Sequence, residues 1–454
     1  MPRITPLLLI SFLIYLSTTD CSPAQAQPPT EAQIKKRVQN WVEKKKRAPG
    51  LVVGWIDKGD VKVVAEGVRK AGGTEPVDAD SIFEIGSITK VFTALLLQQM
   101  VDSGEVTLDD PISKFLPPSV KTPTRNGKQI TLLDLATHTS GLPRLPDNLS
   151  AWQIMMHADN PYAKYTVAEL YQCLSDCKLT RDIGAEYEYS NLGMGLAGHL
   201  LALKAGTNYE SSVIKRICAP LKMDSTRITL SPELKSRLAT GHSSSGKPVS
   251  NWEIPALPGC GALRSSVNDL LKFLAANMGE PASPLSAAMA KTHVPRREAF
   301  AGQQIGLAWH INTASQVWHN GETGGYHSFI GFDKQAHRGV VVLANSENDI
   351  DQLGLYVLTP VRQRAPANVS PQVYDQYVGK YKLAPGAILT ISRDGDRFFA
   401  RLTGQQKIEF FPESESDFFC KVVDAQLTFV KKGEAVEAVV LHQNGLDQKA
   451  PRVN

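Results

Sequence analysis

The strongest constraint on the fold is where the strand-like segments fall. Two β-branched runs, Leu51 to Ile56 and Val61 to Ala65, are joined through Asp57-Lys58-Gly59-Asp60 and read as a hairpin near the start of the chain. Three further runs, Gln316 to Trp318, Ser328 to Phe332 and Val340 to Leu343, follow only much later. Strand backbones need partners, so the two groups are expected to share one sheet, with the helical, Pro- and Gly-rich middle folded over it. The expected class is α+β: an antiparallel sheet flanked by helices.

Beyond residue 364 the pattern changes. Ala365-Pro366-Ala367-Asn368-Val369-Ser370-Pro371 reads as a linker over 365–371. After it come short alternating runs, among them Ala387 to Ser392, Arg397 to Leu402, Lys407 to Phe411 and Val436 to His442, broken by Asp394-Gly395, Gly404 and Gly433. Residues 372–454 are therefore expected to form a small all-β C-terminal domain, and 27–364 the larger domain. The chain of 454 residues is long enough for both.

At the N-terminus Arg3 precedes an apolar run from Leu7 to Leu16 and the small-residue ending Ala24-Gln25-Ala26. That is the pattern of a signal peptide over 1–26, and it predicts an exported protein, periplasmic or secreted. The apolar run is about half the ~20 residues that a membrane-crossing helix needs, so no integral membrane segment is expected after its removal. A net charge of +4 is too dilute for a nucleic-acid binder. From Glu31 to Lys46, Ile34, Val38, Trp41 and Val42 recur at helical spacing with lysines and Arg37 between them, an amphipathic helix with a solvated basic face. The cysteines form neither a disulfide framework nor a zinc pattern, although Cys173 and Cys177, one helical turn apart, could pair.

Candidate chemistry begins at Ser87-Ile88-Thr89-Lys90, which opens a nearly apolar helix running to Ser103 and stopping at Gly104. Residues three apart share a helix face, so the Lys90 amine can reach the Ser87 hydroxyl. A desolvated lysine of lowered pKa can then take the hydroxyl proton. The spacing alone is weak, because Ser175 with Lys178, Ser212 with Lys215 and Ser244 with Lys247 share it. Order and context single out Ser87. Downstream lies Tyr189-Ser190-Asn191, where Tyr189 can pass a proton and Asn191 can hold an amide carbonyl. Further on, Trp318-His319-Asn320-Gly321-Glu322 leads into Thr323-Gly324-Gly325, whose glycines let a substrate approach an edge strand closely.

This ordered triple resembles the serine-active penicillin-recognising superfamily, above all class C β-lactamases, with relatives among D-alanyl-D-alanine carboxypeptidases and esterases. Phe83 to Lys90, Gly104 to Pro111, Leu135-Ala136-Thr137-His138-Thr139-Ser140-Gly141-Leu142-Pro143 and Gly306-Leu307-Ala308-Trp309 support the likeness, which spans roughly residues 35 to 350. The resemblance implies a β-lactamase/transpeptidase-like fold, with an all-helical subdomain beside the sheet, and a serine hydrolase working through an acyl-enzyme. It makes Ser87 the nucleophile, Lys90 its activating partner and Tyr189 the proton shuttle. Asn191, His319, Asn320, Gly321 and Glu322 become substrate-binding, with the backbone N–H groups of Ser87 and Glu322 as the oxyanion hole. The expected substrate is a small molecule: a β-lactam first, a D-amino-acid peptide or an ester second. A penicillin-binding sensor that acylates without turnover is a further alternative. No metal or cofactor is implied, and the protein is expected to act as a monomer. One departure stands out: His319 occupies the place of the lysine in the class C Lys-Thr-Gly motif, and a histidine of ordinary pKa is mostly neutral at pH 7. Substrate carboxylates lose an anchor there. His138 reads as a packing residue, and His327 could equally line the cleft or face away.

Overall fold

The computed structural model describes residues 28–149, 160–280, 282–299, 302–312, 316–359, 366–384, 386–404, 407–420, 425–443 and 446–453. The expected signal peptide, with Cys21, lies outside them. After the helix α1 (Glu31–Gln39) come β1 (Gly50–Asp57) and β2 (Asp60–Gly67), the expected hairpin. The remaining strands of the large sheet are β3 (Arg297–Glu298), β4 (Gln304–Ile305), β5 (His310–Ile311), β6 (Gln316–Glu322), β7 (His327–Asp333) and β8 (Arg338–Ala344). Their order is β2-β1-β8-β7-β6-β5-β4-β3, antiparallel throughout. Pairing of Leu51 with Ala344 and Asp57 with Arg338 joins the early and late strands, as the sequence anticipates.

Side chains alternate across β1. Leu51, Val53 and Trp55 enter one core, with Ile34 and Val38 of α1 and with Leu353 and Val357 of the helix Asp351–Leu358. Val52 and Ile56 enter the other, larger core, beneath the helices Thr89–Asp102 and Val267–Met278. Phe92 of the first stacks on Phe273 of the second at 4.2 Å between centroids. A sheet of period two thus separates two helical layers. In chain order these helices are α2 (Thr89–Asp102), α3 (Asn191–Ala205), α4 (Val267–Met278) and α5 (Asp351–Leu358).

The helix expected over Glu31 to Lys46 is α-helical only to Gln39 and continues as a π-turn, Asn40–Lys44. Its basic residues are partly packed: Arg37 lies over the Tyr356 ring at 4.1 Å, and Arg47, just past the turn, lies over Trp41 at 4.7 Å. Cys173 and Cys177 are unpaired thiols at the end of the helix Val167–Asp176. Among the described residues no helix is long and apolar enough to cross a membrane.

The C-terminal strands β9 (Gly379–Ala384), β10 (Ala387–Asp394), β11 (Arg397–Leu402), β12 (Ile408–Pro412), β13 (Asp417–Cys420), β14 (Ala425–Lys432), β15 (Ala435–Gln443) and β16 (Leu446–Val453) form a closed barrel. Its interior is aromatic. Tyr377 stacks on Phe429 at 4.0 Å and Phe398 on Phe418 at 4.3 Å, so rings fill the barrel rather than a cavity.

Candidate active site

Ser87 sits in a single 3₁₀ turn, Gly86–Ile88, two residues ahead of the start of α2 rather than on its first α-turn. The Ile88 N–H closes that turn on the Ile85 carbonyl at 3.1 Å. Gly86 makes it possible: its φ is +48°, and an added Cβ would lie 2.7 Å from the Glu322 nitrogen. Gly321 is as tightly placed, since a Cβ there would lie 2.1 Å from the Ile85 oxygen and 2.9 Å from the Ser87 nitrogen. Both glycines therefore let the end of β6 press against the Ser87 turn. Ser328, opposite Gly321 on β7, donates to the Ile85 carbonyl at 2.9 Å and pins the two together. Beneath the turn, the buried carboxylate of Glu84 is paired with Arg264 at 3.2 Å.

Ser87 is half-buried where its neighbours Gly86 and Ile88 are buried. Lys90, one turn on, is fully buried. Its ammonium donates to Ser87 Oγ at 2.8 Å and to the Cys260 carbonyl at 2.7 Å. Burial brings its pKa down to about 7, partly offset by Cys260 and reinforced by the charge of Arg144. A lysine so placed is available as a neutral base near pH 7.

Tyr189 closes the group. Its ring centroid lies 4.8 Å from Lys90 Nζ, and burial raises its pKa against a smaller lowering from Ser87, so the phenol keeps its proton at neutral pH. The neighbouring Ser190 caps α3: its Oγ accepts from the Gly193 N–H at 2.8 Å and donates to the Pro143 carbonyl at 2.7 Å. The Ser190 N–H in turn donates to His138 Nδ1 at 3.1 Å, and the His138 ring lies 4.5 Å from that of Tyr189. His138 is buried and held neutral by desolvation. It packs, as expected, but what it packs is the Tyr189 segment. Asn191, the first residue of α3, donates to the Tyr162 hydroxyl at 3.1 Å, and its buried Oδ1 has no partner among the described residues.

The third segment differs from expectation. Strand alternation sends His319 and Gly321 toward the Ser87 side of the sheet and Asn320 and Glu322 to the opposite face. The Asn320 amide donates to Asp351 on α5 at 2.6 Å, so its side chain is turned away from Ser87 and bears on no substrate there. Glu322 is exposed on that outer face and faces the site only through its backbone nitrogen beside the Ser87 turn. His319 lies on the correct side but is fully buried. Its ring is 6.2 Å from Tyr189 and 5.1 Å from His310, Nδ1 donates to the Asn320 carbonyl at 2.5 Å, and burial drives its pKa well below the ordinary value. It is a neutral wall beneath Tyr189. His327 faces away from the cleft, bonded through Nε2 to Asp351 at 3.1 Å.

Two segments remote in sequence therefore bring a hydroxyl, an amine and a phenol together against a third, the end of β6, under a helical roof. That layout defines a serine hydrolase of the penicillin-recognising type. Residues 31–355 match the Beta-lactamase family, and residues 363–450 match a domain of unknown function, DUF3471. The chain is 31% identical over 270 residues to the D-alanyl-D-alanine-carboxypeptidase/endopeptidase AmpH of Escherichia coli (strain K12), a match covering 59% of this chain and 68% of that protein. It is 27% identical over 336 residues to a β-lactamase of Pseudomonas fluorescens, covering 65% and 88%. Among solved structures, the octameric penicillin-binding protein homologue from Pyrococcus abyssi superposes with a TM-score of 0.64 at 24% identity, covering 92% of this chain and 99% of that one. The chain belongs to the β-lactamase family, as a hydrolase of class C β-lactamase and D-alanine-carboxypeptidase type.

Proposed function

We propose that this is an exported serine hydrolase, with a catalytic domain over 27–364 and a barrel following the 365–371 linker, that opens amides through an acyl-enzyme at Ser87, with β-lactams as the leading substrate. The observation that carries this reading is the 2.8 Å contact between a fully buried lysine and the Ser87 hydroxyl. In its neutral form Lys90 takes the hydroxyl proton as Ser87 Oγ bonds to the substrate carbonyl carbon. Charge on the carbonyl oxygen develops between the Ser87 and Glu322 N–H groups, where one donor is typically worth ~10²–10³ in rate. As the carbon–nitrogen bond breaks, Tyr189 gives its proton to the leaving nitrogen and regains one from the Lys90 ammonium. Water then releases the acyl group by the reverse proton path.

The neutral, buried His319 favours a second reading, a D-alanyl peptidase or esterase of the same mechanism, because the third segment provides no cation for a lactam carboxylate. A chromogenic cephalosporin, a D-Ala-D-Ala peptide and a nitrophenyl ester, each followed by turnover and by intact mass, separate the readings. Cephalosporin turnover with a transient adduct on Ser87, and an acidic rate limb near pH 7, are expected. Peptide or ester turnover alone would move the assignment to the second reading, and a lasting adduct without turnover would make the protein a sensor. Turnover that survives Ser87→Ala would overturn the mechanism.

A further inference from the structure

The site holds a cation that the third segment does not supply. Arg144 follows the Leu142-Pro143 pair, its side chain is exposed, and its guanidinium carbon stands 5.1 Å from the centroid of the Tyr189 ring, the same ring that Lys90 approaches at 4.8 Å. Its carbonyl accepts the Asn191 N–H at 2.9 Å and the Leu192 N–H at 3.3 Å, which locks the residue to the start of α3. Its charge reaches inward, lowering the proton affinity of both Lys90 and His138. Among the described residues no carboxylate pairs with it. An arginine parked on an aromatic face keeps its planar fork of N–H donors open to a carboxylate.

We infer that Arg144 is a carboxylate-binding subsite, reading an acidic group on the acyl portion of the substrate next to the carbonyl offered to Asn191. Acidic acyl-peptides and β-lactams with a carboxylated side chain are then the preferred class over their neutral counterparts. The inference rests on the acyl-enzyme reading above.

Three nitrophenyl-type esters test it: one with a neutral acyl group, one with a carboxylate on the acyl group, and one with the carboxylate on the leaving group. The readout is the ratio of kcat/KM for each anionic ester to that for the neutral one. Ratios cancel any general change at Lys90, whose pKa rises for all substrates once the neighbouring charge is gone. Arg144→Ala is expected to lower the acyl-carboxylate ratio about tenfold or more, through KM, with Arg144→Lys recovering part of it because charge returns without the fork. An unchanged ratio overturns the subsite, and a fall confined to the leaving-group carboxylate overturns its placement. Failure of the mechanism itself is seen separately, as turnover of the neutral ester by Ser87→Ala.

Discussion

Replacing Lys90 with methionine keeps the length of the side chain and removes its ammonium, which turns the central claim into a stability measurement. In the folded protein burial holds Lys90 at about 7, while in the unfolded chain it titrates near ~10.4. Between those values the unfolded state binds more protons than the folded one, so stability rises with pH across the window. Below about 7 both states are protonated and the folded protein bears the full cost of the buried cation. At about 1.4 kcal/mol per unit, the window amounts to roughly 4–5 kcal/mol. Lys90→Met lacks this slope. Its own penalty is a Cys260 carbonyl and a Ser87 hydroxyl without their donor, about 1–3 kcal/mol that does not vary with pH. The wild type should therefore gain several kcal/mol on the variant between about pH 6 and about pH 10. Urea unfolding followed by tryptophan fluorescence isolates the relevant domain, because all six tryptophans lie at or before Trp318 and the barrel has none. Parallel pH–stability curves for the two proteins would show that Lys90 titrates near its solution value and is no neutral base at pH 7.

Two further substitutions probe the frame of the site. Gly321→Ala puts a Cβ 2.1 Å from a backbone oxygen that cannot swing aside, so acylation should drop about 10²-fold or more as the oxyanion donors separate, measured as the burst rate with a chromogenic substrate. Glu84→Ala strands the buried Arg264 guanidinium with, among the described residues, only the exposed Glu253 as a carboxylate partner, and should cost about 3–5 kcal/mol in urea unfolding. Equal midpoints for Glu84→Ala and the wild type would mean that the pair carries no stability.

Period-two runs made the hairpin and the late strands readable, and the three-residue spacing made Ser87 and Lys90 readable as a pair. What the spacing could not convey is which backbone groups complete the site. The Cys260 carbonyl that holds Lys90 is 170 residues away and has no side-chain signature. Strand alternation within Trp318 to Glu322 would have placed Asn320 on the face opposite His319, but motif likeness ran the two together. The burial of His319 depends on His310 and Tyr189 packing around it, a tertiary fact. Arg144 was within reach of reading, one residue beyond the Leu142-Pro143 ending of a segment already singled out, yet nothing local to it announces the Tyr189 ring. The β-rich character of the C-terminal residues was visible in their turns; closure was not, because it joins the first strand to the last through Tyr381 and Arg452.

That closure governs how the C-terminal module can meet anything else. An open sheet can recruit a foreign strand by lending it unpaired amides and carbonyls, but a ring of eight strands, each flanked by two others, has no such margin. With its lumen occupied by aromatic rings, the module can engage a partner only through the outward side chains of its wall and through its loops.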